Sequence, residues 1–135
     1  MSPFPMIRVK EIAFTCYPIT DVARAKSFYQ GLLNLTPGVA FEHEGRHWIE
    51  YDIGSGTLAI SNMAGDKWKP SADGPSAALE VESFETAVED LRKAGVPFSV
   101  EPMNSGMCWI AIVQDPDGNS IAIHHRASMP QGVGA

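Results

Sequence analysis

The chain has 135 residues, 44% of them hydrophobic and 19% charged, which is the composition of one globular domain. No apolar run approaches the ~20 residues that a membrane-spanning helix requires. The N-terminus, residues 1–6, lacks the basic and apolar segments of a signal peptide. The formal net charge is −6, and basic residues do not cluster with aromatic ones. We therefore expect a cytoplasmic protein that binds neither membranes nor nucleic acids.

In the first half, periodicity predicts a strand, a helix and three further strands. A strand is expected over residues 12–17. Thr20 or Asp21 can cap the helix that follows, whose apolar positions recur every three or four residues up to position 32. Strands are predicted over residues 39–42, 47–53 and 57–61, with a hairpin connection at 44–46.

The second half repeats this order. A strand over residues 76–81 precedes a helix that starts after Ser83 as N-cap and stops at Gly95. Strands are expected over residues 98–100, 108–113 and 120–124. The last two are joined by the turn Asp-Pro-Asp-Gly-Asn at 115–119. Residues 128–135 are small, polar or Pro/Gly, and we expect them to be frayed.

This duplicated β-α-β-β-β order predicts an α+β fold. A single domain over residues 8–126 would consist of module 8–63 and module 76–126, joined by the Gly/Pro-rich linker 64–75. We expect a curved mixed sheet around a concave pocket, with both helices on the outer face. A ferredoxin-like fold is the alternative, but it has one strand fewer in each half.

Three passages together resemble the vicinal oxygen chelate superfamily, which includes glyoxalase I, bleomycin-resistance proteins, extradiol dioxygenases and fosfomycin-resistance enzymes. Residues 19–29 contain the pattern D-x-x-R-x-x-x-F-Y, starting at Asp21. Residues 88–96 are similar to the end of the family's second helix, and residues 115–119 are similar to its closing turn. The resemblance covers residues 8–126.

The resemblance implies where a metal would be bound. In metal-dependent members the ligands are usually His, Glu or Gln on the first and last strands of each module. The corresponding positions here are Phe14, Ala59, Ser76 and Ala122, spaced almost identically in the two halves. Phe and Ala cannot coordinate a metal and Ser rarely does. His124 and His125 are adjacent on a strand and point to opposite faces, so they cannot hold one metal together. We expect no metal and no other cofactor.

Strand alternation extends the face on which these positions lie. The concave face is expected to combine aromatic rings with Glu50, Glu80 and His124. The side chains on it that are proposed to bind a ligand are Phe14, Cys16, Trp48, Glu50, Ser76, Trp109 and His124. The face of Trp109 is ambiguous, because both parities of its strand are apolar. The opposite parity is apolar and should pack under the helices, which supports the register; it comprises Leu58, Ile60, Leu79, Val81, Ile121 and Ile123. Trp48 and Trp109 can equally fill the hollow as core residues.

The leading hypothesis is a metal-free protein that binds a small aromatic or cationic ligand, as bleomycin-resistance proteins do. One alternative is a glyoxalase-like lyase or isomerase, or a dioxygenase-related enzyme, with an unrecognised metal or acid/base site such as Glu50 with His124. Another is an interaction module with a vestigial pocket. Cys16 and Cys108 are expected to be buried and unreactive. Unpaired strand edges and the resemblance together predict a homodimer.

Overall fold

The computed structural model describes residues 7–126, which form two four-stranded mixed sheets. The first sheet has the order β1-β4-β3-β2 and the second the order β5-β8-β7-β6. In each sheet the outer pair β1–β4 or β5–β8 is parallel, and the other pairs are antiparallel. The strands are β1 (Thr15–Pro18), β2 (Pro37–His43), β3 (Arg46–Ile53), β4 (Gly56–Ser61), β5 (Ala77–Glu80), β6 (Phe98–Asn104), β7 (Cys108–Gln114) and β8 (Ser120–Arg126). The predicted α+β fold of two βαβββ modules is confirmed.

Both helices begin at side chains that cap backbone N–H groups. The Asp21 carboxylate accepts from the Arg24 N–H at 3.0 Å, and α1 (Val22–Lys26) continues as a π-helical segment, Ser27–Leu32. The Ser83 hydroxyl accepts from the Thr86 N–H at 3.2 Å at the start of α2 (Phe84–Lys93). Within residues 7–126, no helix has both the length and the apolar character needed to cross a membrane.

One apolar core joins the two modules. Leu58, Ile60, Ile121 and Ile123 are buried in it, and Leu79 and Val81 pack against it. Strand alternation predicted that these six residues pack under the helices. The predicted register is therefore confirmed. The sheet surfaces that point away from the helices carry the opposite parity, and we call them the open faces.

The polypeptide before β1 differs from the prediction. The strand begins at Thr15 rather than at residue 12, because Thr15 is the first residue with a partner on β4, namely Leu58. Upstream of it, Ile7, Val9 and Ile12 have at least four-fifths of their surface exposed. The linker 64–75 contains a short 3₁₀ turn, Gly65–Lys67. The N-terminal residues 1–6 and the tail predicted to fray, 128–135, lie outside the described residues.

A buried polar network connects the modules. The Tyr29 hydroxyl donates to Asp115 Oδ2 at 2.7 Å, and the Asn119 amide donates to the Pro18 carbonyl at 2.8 Å. Asp115 also accepts the backbone N–H groups of Asp117 and Asn119, each at 2.9 Å. Burial, and secondly the Asp115 charge, raise the pKa of the Tyr29 hydroxyl. The closing turn of the second module is therefore anchored to the helix and first strand of the first.

Candidate functional site

The open face of the first sheet carries an aromatic group with a carboxylate beside it. The Phe14 ring meets the Trp48 ring edge to face, with centroids 5.1 Å apart, and 45% of the Phe14 surface is exposed. The Trp48 indole N–H donates to Glu50 Oε2 at 2.7 Å. This bond fixes the orientation of the Glu50 carboxylate next to the ring. Such a surface can stack a flat molecule and attract a positive charge.

Two residues of the edge strand β2 extend this surface. Val39 pairs with Glu50, and Phe41 pairs with Trp48, so all four side chains lie on the same face. Val39 is 49% exposed and Phe41 is 54% exposed. Neither residue is among the predicted ligand-binding residues, although hairpin pairing of strand 39–42 with strand 47–53 places both on the face of Trp48 and Glu50.

Cys16 lies on the same face. Desolvation by burial, and secondly the charge of Glu50, raise the pKa of its thiol to about 12. The thiol is therefore protonated at neutral pH. Both Cys16 and Cys108 are half-buried, which corrects the expectation that they are buried. Cys16 lies on the edge strand β1 and Cys108 is the first residue of β7, and neither belongs to the buried core.

The open face of the second sheet carries a carboxylate–histidine pair. Glu80 Oε1 lies 2.5 Å from His124 Nδ1, and Glu80 Oε2 accepts the Arg126 backbone N–H at 2.8 Å. The bond from Arg126 and then the bond from His124 lower the pKa of Glu80. Within residues 7–126, His124 Nε2 has no hydrogen-bond partner. A carboxylate that orients an imidazole in this way can support proton transfer.

These contacts differ from the acid/base pair considered from the sequence. Glu50 bonds to Trp48 and His124 bonds to Glu80, so Glu50 and His124 have different partners on different sheets. Glu80 shares a face with His124 because the parallel pairing of β5 with β8 places them in register.

Trp109 lies on the opposite side of the second sheet from His124. It pairs with His125, and its ring lies 5.7 Å from the Phe84 ring on α2, tilted by 31°. The assignment of Trp109 to the concave face was therefore wrong. Every residue from Cys108 to Val113 is apolar, so alternation along that strand could not identify which parity faces the helix.

The positions that correspond to metal ligands in the family do not fit a metal. Ala59 is 0% exposed and lies between Cys16 and Glu50, and Ala122 is 5% exposed and lies between Ala78 and Ile112. Phe14 and Ser76 precede β1 and β5 and offer a ring and one hydroxyl. In the part of the chain that the structure describes, no three His, Cys, Asp or Glu side chains form a group that could hold a metal ion.

The predicted site residues are thus divided into separate groups. Phe14, Cys16, Trp48 and Glu50 come together on the first sheet. His124 joins Glu80 on the second sheet, and exposed Ser76 stands at the start of β5.

Comparison with known proteins gives a family and a set of similar folds. Residues 11–123 match the model of the Glyoxalase/Bleomycin resistance protein/Dioxygenase superfamily. No curated protein sequence gives a significant match. A glyoxalase family protein from Bacillus anthracis superposes with a TM-score of 0.73 at 16% identity, over 91% of this chain and 100% of that chain.

Two further solved structures carry more specific descriptions. TnmS3, an antibiotic-binding protein from Streptomyces sp. CB03234, has a TM-score of 0.70 and 17% identity, over 90% of this chain and 100% of that chain. The trypanothione-dependent glyoxalase I of Leishmania major has a TM-score of 0.70 and 23% identity, over 87% of each chain. At these identities the likeness shows a shared fold.

Proposed function

Since this chain belongs to the Glyoxalase/Bleomycin resistance protein/Dioxygenase superfamily, we propose that it is a metal-free binding protein for a small aromatic or cationic molecule. The observation that carries this proposal is the arrangement of Phe14, Trp48 and Glu50 on the open face. The rings supply flat apolar area, and the oriented carboxylate supplies a counter-charge. TnmS3, whose fold is similar, is described as an antibiotic-binding protein, which supports the class of function.

Metal-dependent chemistry does not suit the residues present. Phe14, Ala59, Ser76 and Ala122 would together offer one hydroxyl where a divalent cation needs several N, O or S ligands. Protein purified without chelator should contain well under one transition-metal ion per chain by elemental analysis. Stoichiometric zinc, nickel, manganese or iron held by several side chains would refute the metal-free proposal.

The proposal includes a homodimer. The open face of the first sheet exposes apolar side chains of Phe14, Val39 and Phe41, and the segment before it exposes Ile7 and Ile12. Apolar surface of this kind on a soluble domain usually marks an interaction site. A second copy that covers this surface would close the ligand site and protect the strand edges. Sedimentation at tens of micromolar should give a dimer, and a monomer would contradict this part.

The binding test uses ethidium, a flat aromatic cation, as the probe. Ethidium should quench Trp48 fluorescence saturably in a Trp68→Phe, Trp109→Phe background, and Glu50→Gln should weaken the binding by roughly fivefold or more. Glu44→Gln is the matched control, because the Glu44 side chain is 84% exposed on the hairpin turn and lies 3.8 Å from His43 Nε2. Equal effects of the two substitutions, or no saturable quenching, would favour a vestigial pocket.

The Glu80–His124 pair favours one other function, an acid/base isomerase of the glyoxalase kind that needs no metal. Purified protein would then isomerise the hemithioacetal of methylglyoxal and glutathione in the presence of EDTA. His124→Gln should abolish that activity, whereas Glu50→Gln should change it little. A rate equal to the protein-free background would exclude this candidate for that substrate.

A further inference from the structure

A cavity of about 590 Å³ opens on the helix side of the second sheet. It lies between the first turn of α2, strand β6 and the ends of β7 and β8. Its apolar wall consists of Phe84, Pro102 and Trp109, and His125 stands beside them. Cavities of roughly 300–1,000 Å³ are the size that holds small organic ligands. This cavity is on the opposite side of the sheet from His124 and is distinct from the open faces.

The Trp109 ring is held in place and yet accessible. On one side it packs against Phe84, which is buried to 9% exposure, with ring centroids 5.7 Å apart. Its own exposure is 40%, high for the largest apolar side chain. His125 Nδ1 donates to the Val81 carbonyl at 2.7 Å. This bond fixes the imidazole beside Trp109, the residue with which His125 pairs across β7 and β8. A fixed aromatic face therefore borders the cavity.

The cavity is also negatively charged. Glu82 and Glu85 line it, and neither carboxylate has an ion-pair or hydrogen-bond partner within residues 7–126. Among residues 7–126, no Lys or Arg side chain lines it. The N-terminus of α2 contributes roughly +0.5 charge, which is smaller than the two negative charges. The net field therefore attracts cations.

We propose that this cavity is a binding site for a small organic ammonium ion. The cationic head lies against the Trp109 ring face and between the Glu82 and Glu85 carboxylates, and the apolar part of the molecule contacts Phe84 and Pro102. The attraction of a cation to an indole face, the strongest of the aromatic rings, combines here with direct charge pairing. This site is independent of the proposed function and does not require the open faces or a dimer.

The test uses choline as the probe and 3,3-dimethyl-1-butanol as its uncharged analogue of the same shape. Both are titrated at constant ionic strength, set with NaCl, because exposed charges are screened by salt. The indole N–H signals of Trp48, Trp68 and Trp109 are followed by NMR and assigned with single Trp→Phe variants. Choline should shift the Trp109 signal saturably, whether or not the Trp48 signal also responds, and the alcohol should leave the Trp109 signal in place.

Charge variants separate specific binding from a general effect. The double variant Glu82→Gln, Glu85→Gln should weaken choline binding at least fivefold. Glu89→Gln is the matched control on the same helix, because Glu89 lies outside the cavity and pairs with Lys93 at 3.7 Å. Thermal melting checks that each variant is folded. Trp109→Leu should abolish choline binding, which is followed in that variant through the NMR signal of the Glu85 backbone amide.

Four outcomes would overturn the proposal. They are no shift of the Trp109 signal at about 100 mM choline, an equal shift with the alcohol, a shift confined to Trp48, and an equal loss in Glu89→Gln. A shift confined to Trp48 would assign the cation to the open face and leave the proposed function standing. Failure of ethidium to bind the open face would leave the Trp109 result unaffected.

Discussion

Replacing Tyr29 by Phe should weaken the contact between the two modules. The Tyr29 side chain is 0% exposed, and its hydroxyl donates to Asp115 Oδ2 at 2.7 Å, across 86 residues of sequence. A hydrogen bond to an ionised group contributes about 1.5–3 kcal/mol to stability. Asp115 keeps its bonds from Asp117 and Asn119 in the variant. We therefore expect a loss of about 2 kcal/mol, below the ~3–5 kcal/mol of a fully unpaired buried charge.

Tyr51→Phe is the matched control. Tyr51 is also 0% exposed and stacks on Tyr29, with centroids 6.2 Å apart. Its hydroxyl accepts from the uncharged Gln30 amide at 3.0 Å, so the expected loss is about 0.5–1.5 kcal/mol. Urea denaturation at pH 7 and one protein concentration measures both free energies of unfolding. Equal losses, with unchanged slopes, would refute the reasoning that the Asp115 charge strengthens the bond.

Three other predictions concern the open faces and the pH dependence of stability. Trp48 is half-buried, so Trp48→Ala should cost less than the ~3–5 kcal/mol of a fully buried Trp in urea denaturation; a loss in that range would make the ring a core element. Burial raises the pKa of Tyr29, so stability is retained below about pH 10 and falls as pH rises further. Circular dichroism melts of Tyr29→Phe should show a shallower alkaline fall, and an identical fall would contradict this. The pKa of Glu80 is lowered, so its contribution is present above about pH 4.5 and is lost as pH falls through the lowered value. NMR titration should place the Glu80 pKa below 4.5, and His124→Gln should raise that pKa. An unchanged pKa in the variant would contradict a contribution of His124 and leave the Arg126 bond as the cause of the lowered pKa.

Local sequence was enough to determine the elements and most of the faces. Ser83 caps its helix through its own side chain, and every second residue of β4 and β8 packs into the core cluster, as Leu58, Ile60, Ile121 and Ile123 do. Both properties depend on residues within a few positions of each other, so a single sequence carries them. The residue types at Phe14 and Ala59, two positions that the family resemblance aligns with metal ligands, likewise predict that this site binds no metal, and elemental analysis tests that prediction.

Only the tertiary structure decided which side chains meet. Strand β7 is apolar on both parities, so the face of Trp109 depends on the packing of Phe84 from α2. The partner of His124 is Glu80, 44 residues away, and was set by the register of β5 against β8. Pairings between strands distant in sequence are chosen by the packing of the whole core, and no local pattern records them.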